Sequence, residues 1–102
     1  MFVAKGYWLA TGKITDVKGF MPYVAAAEPY LKRCGANILI RDIHTDVREG
    51  SPGHLTVLIE FANIEDARAA YEAPEYQQMI KLRTPYSDCQ LSILEEGDKA
   101  AH

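Results

Sequence analysis

Alternation is clearest in "HLTVLIEF", where Leu55, Val57, Ile59 and Phe61 fall on one side of an extended chain and Thr56, Leu58 and Glu60 on the other. Tyr7 to Ile14 reads as an earlier strand, rich in aromatic and aliphatic residues and closed by a turn signal at "TD". Between them the period changes. Phe20, Val24, Ala27, Leu31 and Cys34 recur at helical spacing, with Asp16 placed to cap the start and Gly35 to take the left-handed position at the end. Pro22 and Pro29 predict a distorted first turn and a kink in that helix, because neither can donate to the carbonyl four residues back. "ANILIRDIHTDVREG" then reads as one long strand or two collinear ones, lying between Gly35 and Gly50, with "EGSPG" as the turn. Asn63 opens a second helix as N-cap, with Asp66 three residues on. That helix must pause at Ala73, since Pro74 disfavours helical geometry in the residue before it. "CQLSILEEG" supplies a fourth strand.

The order β-α-β-β-α-β, with the second helix broken at Pro74, is that of a ferredoxin-like α+β fold: a four-stranded antiparallel sheet with its helices on one face. Residues 1–97 form the expected domain and 98–102 a polar tail. The other face of such a sheet has to meet solvent or a partner. Here Thr56, Leu58 and Glu60 would lie beside either Tyr7, Leu9 and Thr11 or Trp8, Ala10 and Gly12. Neither set suits bulk water, and an apolar face of roughly several hundred Å² would stand uncovered in a monomer. A two-fold homodimer joined sheet to sheet is the simplest remedy.

Composition narrows the function classes. The 102 residues suit one small core, and the balance of 48% hydrophobic and 25% charged residues is that of a folded globular chain. A formal net charge of -3 without any run of lysine or arginine removes the electrostatic footprint of a nucleic-acid binder. No apolar run is long enough for a signal peptide or a membrane span, so a cytoplasmic protein without membrane contact is expected. Cys34 and Cys89 are too few for a disulfide framework or a four-thiolate zinc site. With no nucleotide-binding glycine motif either, no cofactor is expected.

The ordered set "KGYW", "YVAAAEPYLKRCGANILIR", "REG", "LIEF", "EDARAAYEAPEYQ", "LR" and "ILEEG" resembles the family known as domain of unknown function 1330 over nearly the whole chain. "IEF" and "PEYQ" ahead of "LR" carry most of the resemblance. It implies membership of the dimeric α+β barrel superfamily, in which two ferredoxin-like subunits press their sheets together. Relatives in that superfamily include cofactor-independent monooxygenases, isomerases, cyclases and haem enzymes, so the fold does not select a reaction. The chain departs from the family pattern at Asp42 and Ile43, where many members carry a glycine pair. It also departs at Pro22 within the first helix and at Ala73 before "PEYQ".

Several side chains could carry chemistry. His44 is flanked by Asp42 and Asp46, which on a strand would share its face, and two carboxylates could tune an imidazole for proton transfer near neutral pH. A solvated strand rim gives the same pattern. As a metal site the trio is weak, its ligands being spread about 7 Å apart along a strand; no metal is expected. Glu60, if covered by a second subunit, must be paired in a dimer salt bridge or open to a pocket as an acid. Tyr76, Met79, Ile80 and Arg83 share one helix face, so the phenol and guanidinium could hold a carboxylate or enolate of a small organic ligand. Alternatively, Arg83 ties off its own helix carbonyls, or pairs with Glu60, Glu95 or Asp88. Trp8 could line the pocket, although aromatic residues on strands are core by default. Ser87, in the polar turn after "RTP", is placed to gate a cavity mouth. Two readings follow: an enzyme or binding protein for a small oxygenated or carboxylated molecule, or a non-catalytic dimeric module.

Overall fold

In the computed structural model, which describes residues 2–100, the strands are β1 (Gly6–Ile14), β2 (Asn37–Asp42), β3 (Leu55–Phe61) and β4 (Ser87–Glu95). The helices are α1 (Val17–Arg33), α2 (Ile64–Glu72) and α3 (Pro74–Arg83), with a 3-10 turn at Thr84–Tyr86 leading into β4. His102, at the end of the expected polar tail, lies outside the described residues. All strand pairs are antiparallel, in the order β2-β3-β1-β4.

The register sorts the two faces. Trp8, Ala10 and Gly12 stand opposite Ile59, Val57 and Leu55, and the helices cover this side. Tyr7, Leu9 and Thr11 stand opposite Glu60, Leu58 and Thr56 on the other. Ile40 joins that face beside Leu58, and Leu94 joins it beside Tyr7; these two are 48% and 40% exposed. The open face therefore has an apolar centre with a polar surround, as the alternation of β1 and β3 predicts.

Caps and punctuation act where the sequence places them. The Asp16 carboxylate accepts from the Gly19 amide at 3.1 Å, and the Asn63 side-chain oxygen accepts from the Asp66 amide at 2.7 Å. α1 ends in a Schellman turn: the Ala36 amide donates to the Leu31 carbonyl and the Gly35 amide to that of Lys32, both at 3.0 Å, with Gly35 at φ +73°. Ala73 is extended at ψ 137°, which separates α2 from α3, and Pro74 then opens α3 at a position where its missing amide costs nothing. Pro22 and Pro29 do not divide α1, which runs as one 17-residue element.

The expected long second strand is a correction. β2 stops at Asp42, which pairs with Thr56, and residues 43–54 form an irregular connection. β2 is an edge strand, so once β3 has almost run out there is no further ladder for the β-branched residues of "IHTDV" to join. A bulge between Ile38 and Ile40 turns the strand's faces over, placing Ile38 opposite Ile59 and Arg41 opposite Val57 on the helix side.

The largest fully buried side chains, Trp8, Tyr76 and Phe61, gather where α2 and α3 cover β1 and β3. Tyr76, 0% exposed, sits among Trp8, Tyr23, Tyr30 and Tyr71 with ring centroids 4.8, 6.4, 5.9 and 5.5 Å away. At the other end α1 rests on the 3-10 turn, where a Cβ at Gly19 would fall 2.3 Å from the Tyr86 ring. Gly19→Ala should accordingly destabilise the protein by about 1–2 kcal/mol net, overpacking outweighing the gain in helix propensity. Thermal denaturation followed by circular dichroism checks this, and a raised Tm would contradict the close approach.

Candidate functional site

α1 packs chiefly on α3 and the 3-10 turn and stands off the sheet. Its apolar stripe and the covered face of the sheet consequently enclose a cavity of about 650 Å³, within the usual range for small-molecule sites. Phe20, Val24 and Leu31 form its roof, while Trp8, Val57 and Ile59 form its floor. Nearly all of the wall is hydrocarbon. Among its polar exceptions, Arg83 enters from the end of α3, and Arg41 of β2 pairs with Glu28 of α1 across one side.

Arg83 is half-buried, with its guanidinium carbon 5.6 Å from the Tyr23 ring centroid. No salt bridge forms between it and Glu60, Glu95, Asp88 or any other carboxylate among the described residues. Instead, the Ser87 hydroxyl donates to the Arg83 backbone carbonyl at 2.6 Å, serving the helix end that the guanidinium was a candidate to cap. Burial opposes the charge on Arg83, but the Tyr76 and Tyr23 hydroxyls outweigh it and hold its pKa above the ordinary value. The cavity thus contains a fixed positive charge in an apolar wall.

Behind Tyr23, the Tyr76 hydroxyl lies 2.6 Å from that of Tyr23. Burial, then Tyr23, push the Tyr76 pKa well above the usual phenol range, with Arg83 pulling the other way. Tyr76 is a core residue behind the wall, and Tyr23 is the tyrosine that lines it.

The other expected residues separate. Trp8 both lines the cavity and anchors the core, its indole N–H donating to the Ala67 carbonyl at 2.8 Å. His44 lies at the wall, but in the connection after β2, so the expectation that Asp42, His44 and Asp46 share a strand face is overturned. The Asp42 carboxylate accepts from the His44 backbone amide at 2.6 Å, and Asp46 pairs with Arg48 at 3.0 Å. Among the described residues no cluster of three metal-ligating side chains forms. Glu60 projects from the open face, where it accepts from the Tyr7 hydroxyl at 3.4 Å, across the sheet from the cavity. Ser87 is absent from the wall.

Sequence reasoning missed Tyr23, Glu28, Arg41 and His54 at this site. Tyr23 is legible in principle, three residues from Phe20 and four from Ala27 on the inner stripe of α1. Glu28 borders the same stripe. Arg41 is not legible, since the bulge alone brings it to the covered face.

Residues 5–97 match the sequence profile of a family described as a domain of unknown function, DUF1330. No curated protein matches the sequence. Among solved structures, a protein of unknown function from Rhodopseudomonas palustris has a TM-score of 0.72 at 12% identity, covering 95% of this chain and 85% of that one. SnoaB, a cofactor-independent oxygenase from Streptomyces nogalater, has a TM-score of 0.62 at 12% identity, covering 98% and 100% respectively. A dimeric protein of unknown function and ferredoxin-like fold from Bacteroides fragilis has a TM-score of 0.53 at 13% identity, covering 90% and 96%. At such identities the likeness establishes the fold, which is ferredoxin-like α+β.

Proposed function

The chain belongs to the DUF1330 family, a domain of unknown function, and we propose that it is a homodimer joined through the open sheet face, each subunit binding one small, largely apolar organic molecule by a carboxylate, phenolate or enolate oxygen. The observation that carries this reading is Arg83: a half-buried guanidinium in a hydrocarbon-walled cavity, with no carboxylate partner among the described residues. An arginine so placed attracts an anionic oxygen more strongly than it would in water and offers it two donors. Stabilising negative charge on oxygen is also what cofactor-independent chemistry on an enolate or phenolate requires. Of the two residues expected to move a proton, His44 is at the cavity wall and Glu60 is not. Glu60 belongs instead with the dimer face. Two free cysteines fit a reducing compartment such as the cytoplasm, and no described helix is long and apolar enough to cross a membrane.

Isothermal titration calorimetry with 2-naphthoate and its neutral counterpart 2-naphthamide tests the reading. Arg83→Met should weaken naphthoate binding by about tenfold or more, the worth of a charge-assisted hydrogen bond, and leave naphthamide binding nearly unchanged. If the unaltered protein binds neither compound, the cavity reading fails and a non-catalytic dimeric module is left.

A further inference from the structure

We propose that Tyr23 is the hydrogen-bond donor which the cavity presents to the anionic oxygen of its occupant, with Tyr76 a positioning residue behind it. This rests on the cavity reading above and adds to it the group that recognises the oxygen together with Arg83. The two tyrosines come from α1 and α3, the pair of helices whose packing sets the cavity's roof.

The direction of one hydrogen bond decides the matter. The two hydroxyls are 2.6 Å apart, so one of them donates to the other. A phenol has a single proton to give. Tyr76 is 0% exposed, and among the described residues its hydroxyl has no hydrogen-bonded acceptor apart from the Tyr23 oxygen. If Tyr23 donated, the Tyr76 proton would be buried with nothing to receive it, an arrangement that folded proteins avoid. Tyr76 therefore donates, and the Tyr23 oxygen accepts. The Tyr23 proton is then left over, on a side chain that lines the cavity.

Two neighbours strengthen Tyr23 as a donor. The bond from Tyr76 draws electron density from the Tyr23 oxygen, and hydrogen bonds in series polarise one another. The Arg83 guanidinium, 5.6 Å from the Tyr23 ring centroid, sets a positive charge beside that ring, which favours an anion bound to its hydroxyl. Burial raises the Tyr76 pKa, so that residue keeps the proton it donates. An occupant with an enolate or phenolate oxygen would thus meet Tyr23 O–H and Arg83 together in a hydrocarbon wall, where both interactions are stronger than in water.

4-Nitrophenolate and 4-nitroanisole are suitable probes, since they share a ring and differ in whether the oxygen can accept as an anion. Tyr23→Phe keeps the aromatic ring under Arg83 and removes the hydroxyl alone. Its affinity for 4-nitrophenolate, read from the visible absorbance of the bound anion, should fall about tenfold, with less than about a twofold change for 4-nitroanisole. Tyr76→Phe should weaken phenolate binding by about threefold and spare nitroanisole, as expected of a residue acting through Tyr23. Unchanged phenolate binding by Tyr23→Phe would overturn the proposal, as would an equal loss of both probes. If the wild-type protein binds neither probe, the cavity reading falls with it; if the wild-type protein binds both and Tyr23→Phe is silent, the Tyr23 assignment fails alone. A measurement on the unmutated chain guards against misfolding of the variants. With ring-labelled tyrosine, the carbon signal of the Tyr23 phenol should shift on adding 4-nitrophenolate and stay in place on adding 4-nitroanisole; an unmoved signal in a saturated complex would overturn the proposal.

Discussion

Trp8→Ala should lower the free energy of unfolding by about 3–5 kcal/mol, the usual cost of deleting a buried tryptophan. Trp8 is 1% exposed and lies with ring centroids 5.1 Å from Phe61, 5.9 Å from Tyr71 and 4.8 Å from Tyr76. Its indole also ties β1 to α2 through the Ala67 carbonyl. One substitution therefore removes the side chain on which sheet, α2 and α3 converge. A domain of this size has a total stability of about 5–15 kcal/mol, so the variant keeps a small margin or none. Urea denaturation checks the result by far-ultraviolet circular dichroism, because Trp8 is the chain's single tryptophan and its fluorescence is lost with it. A loss below about 1 kcal/mol would show that the aromatic cluster can close over the gap, contrary to the usual behaviour of tightly packed cores.

Leu58→Arg should abolish the proposed dimer while leaving the subunit folded. Leu58 stands between Leu9 on β1 and Ile40 on β2, at the apolar centre of the open face, and points away from the helices. In a monomer an arginine there reaches water. In a two-fold dimer two such charges would be buried near each other without carboxylate partners, at a cost of several kcal/mol. A dissociation constant raised by roughly two to three orders of magnitude follows from about 3–4 kcal/mol. Sedimentation at micromolar concentration distinguishes the two states, with circular dichroism as the control for folding. A wild-type monomer under those conditions would overturn the proposed dimer, and a Leu58→Arg dimer would place the interface elsewhere.

Both substitutions act on features that are readable in the sequence. The alternation of β3 sets which of its residues meet the helices, and Asn63, Ala73 and Pro74 punctuate the second helix through local backbone chemistry. Such signals act within a few residues and survive whatever the rest of the chain does. β2 is different. "ILIRDIHTDV" has a strand's composition beyond Asp42, but a strand needs a neighbour, and β3 has almost none left to offer there. The bulge after Ile38 carries no glycine or proline to announce it, yet it exchanges the faces on which Ile40 and Arg41 lie. At the site, helical spacing puts Tyr76 and Arg83 on one face of the last helix. It could not show that α1 brings Tyr23 between Tyr76 and the cavity, because that order depends on how two distant helices approach each other. Arg83's lack of a carboxylate partner is likewise a property of the assembled fold.

The stand-off of α1 makes the cavity mechanically lopsided. On one side its roof is bolted to α3 through large aromatic side chains, while toward β2 the tie is the Glu28–Arg41 ion pair, both of whose members are partly solvated. Exposed ion pairs yield for a small cost and weaken as salt is added. In the proposed site the stiff flank would fix where an anionic oxygen is held, beside Arg83 and Tyr23, and the compliant flank would let molecules of different girth share that anchor without disturbing the core.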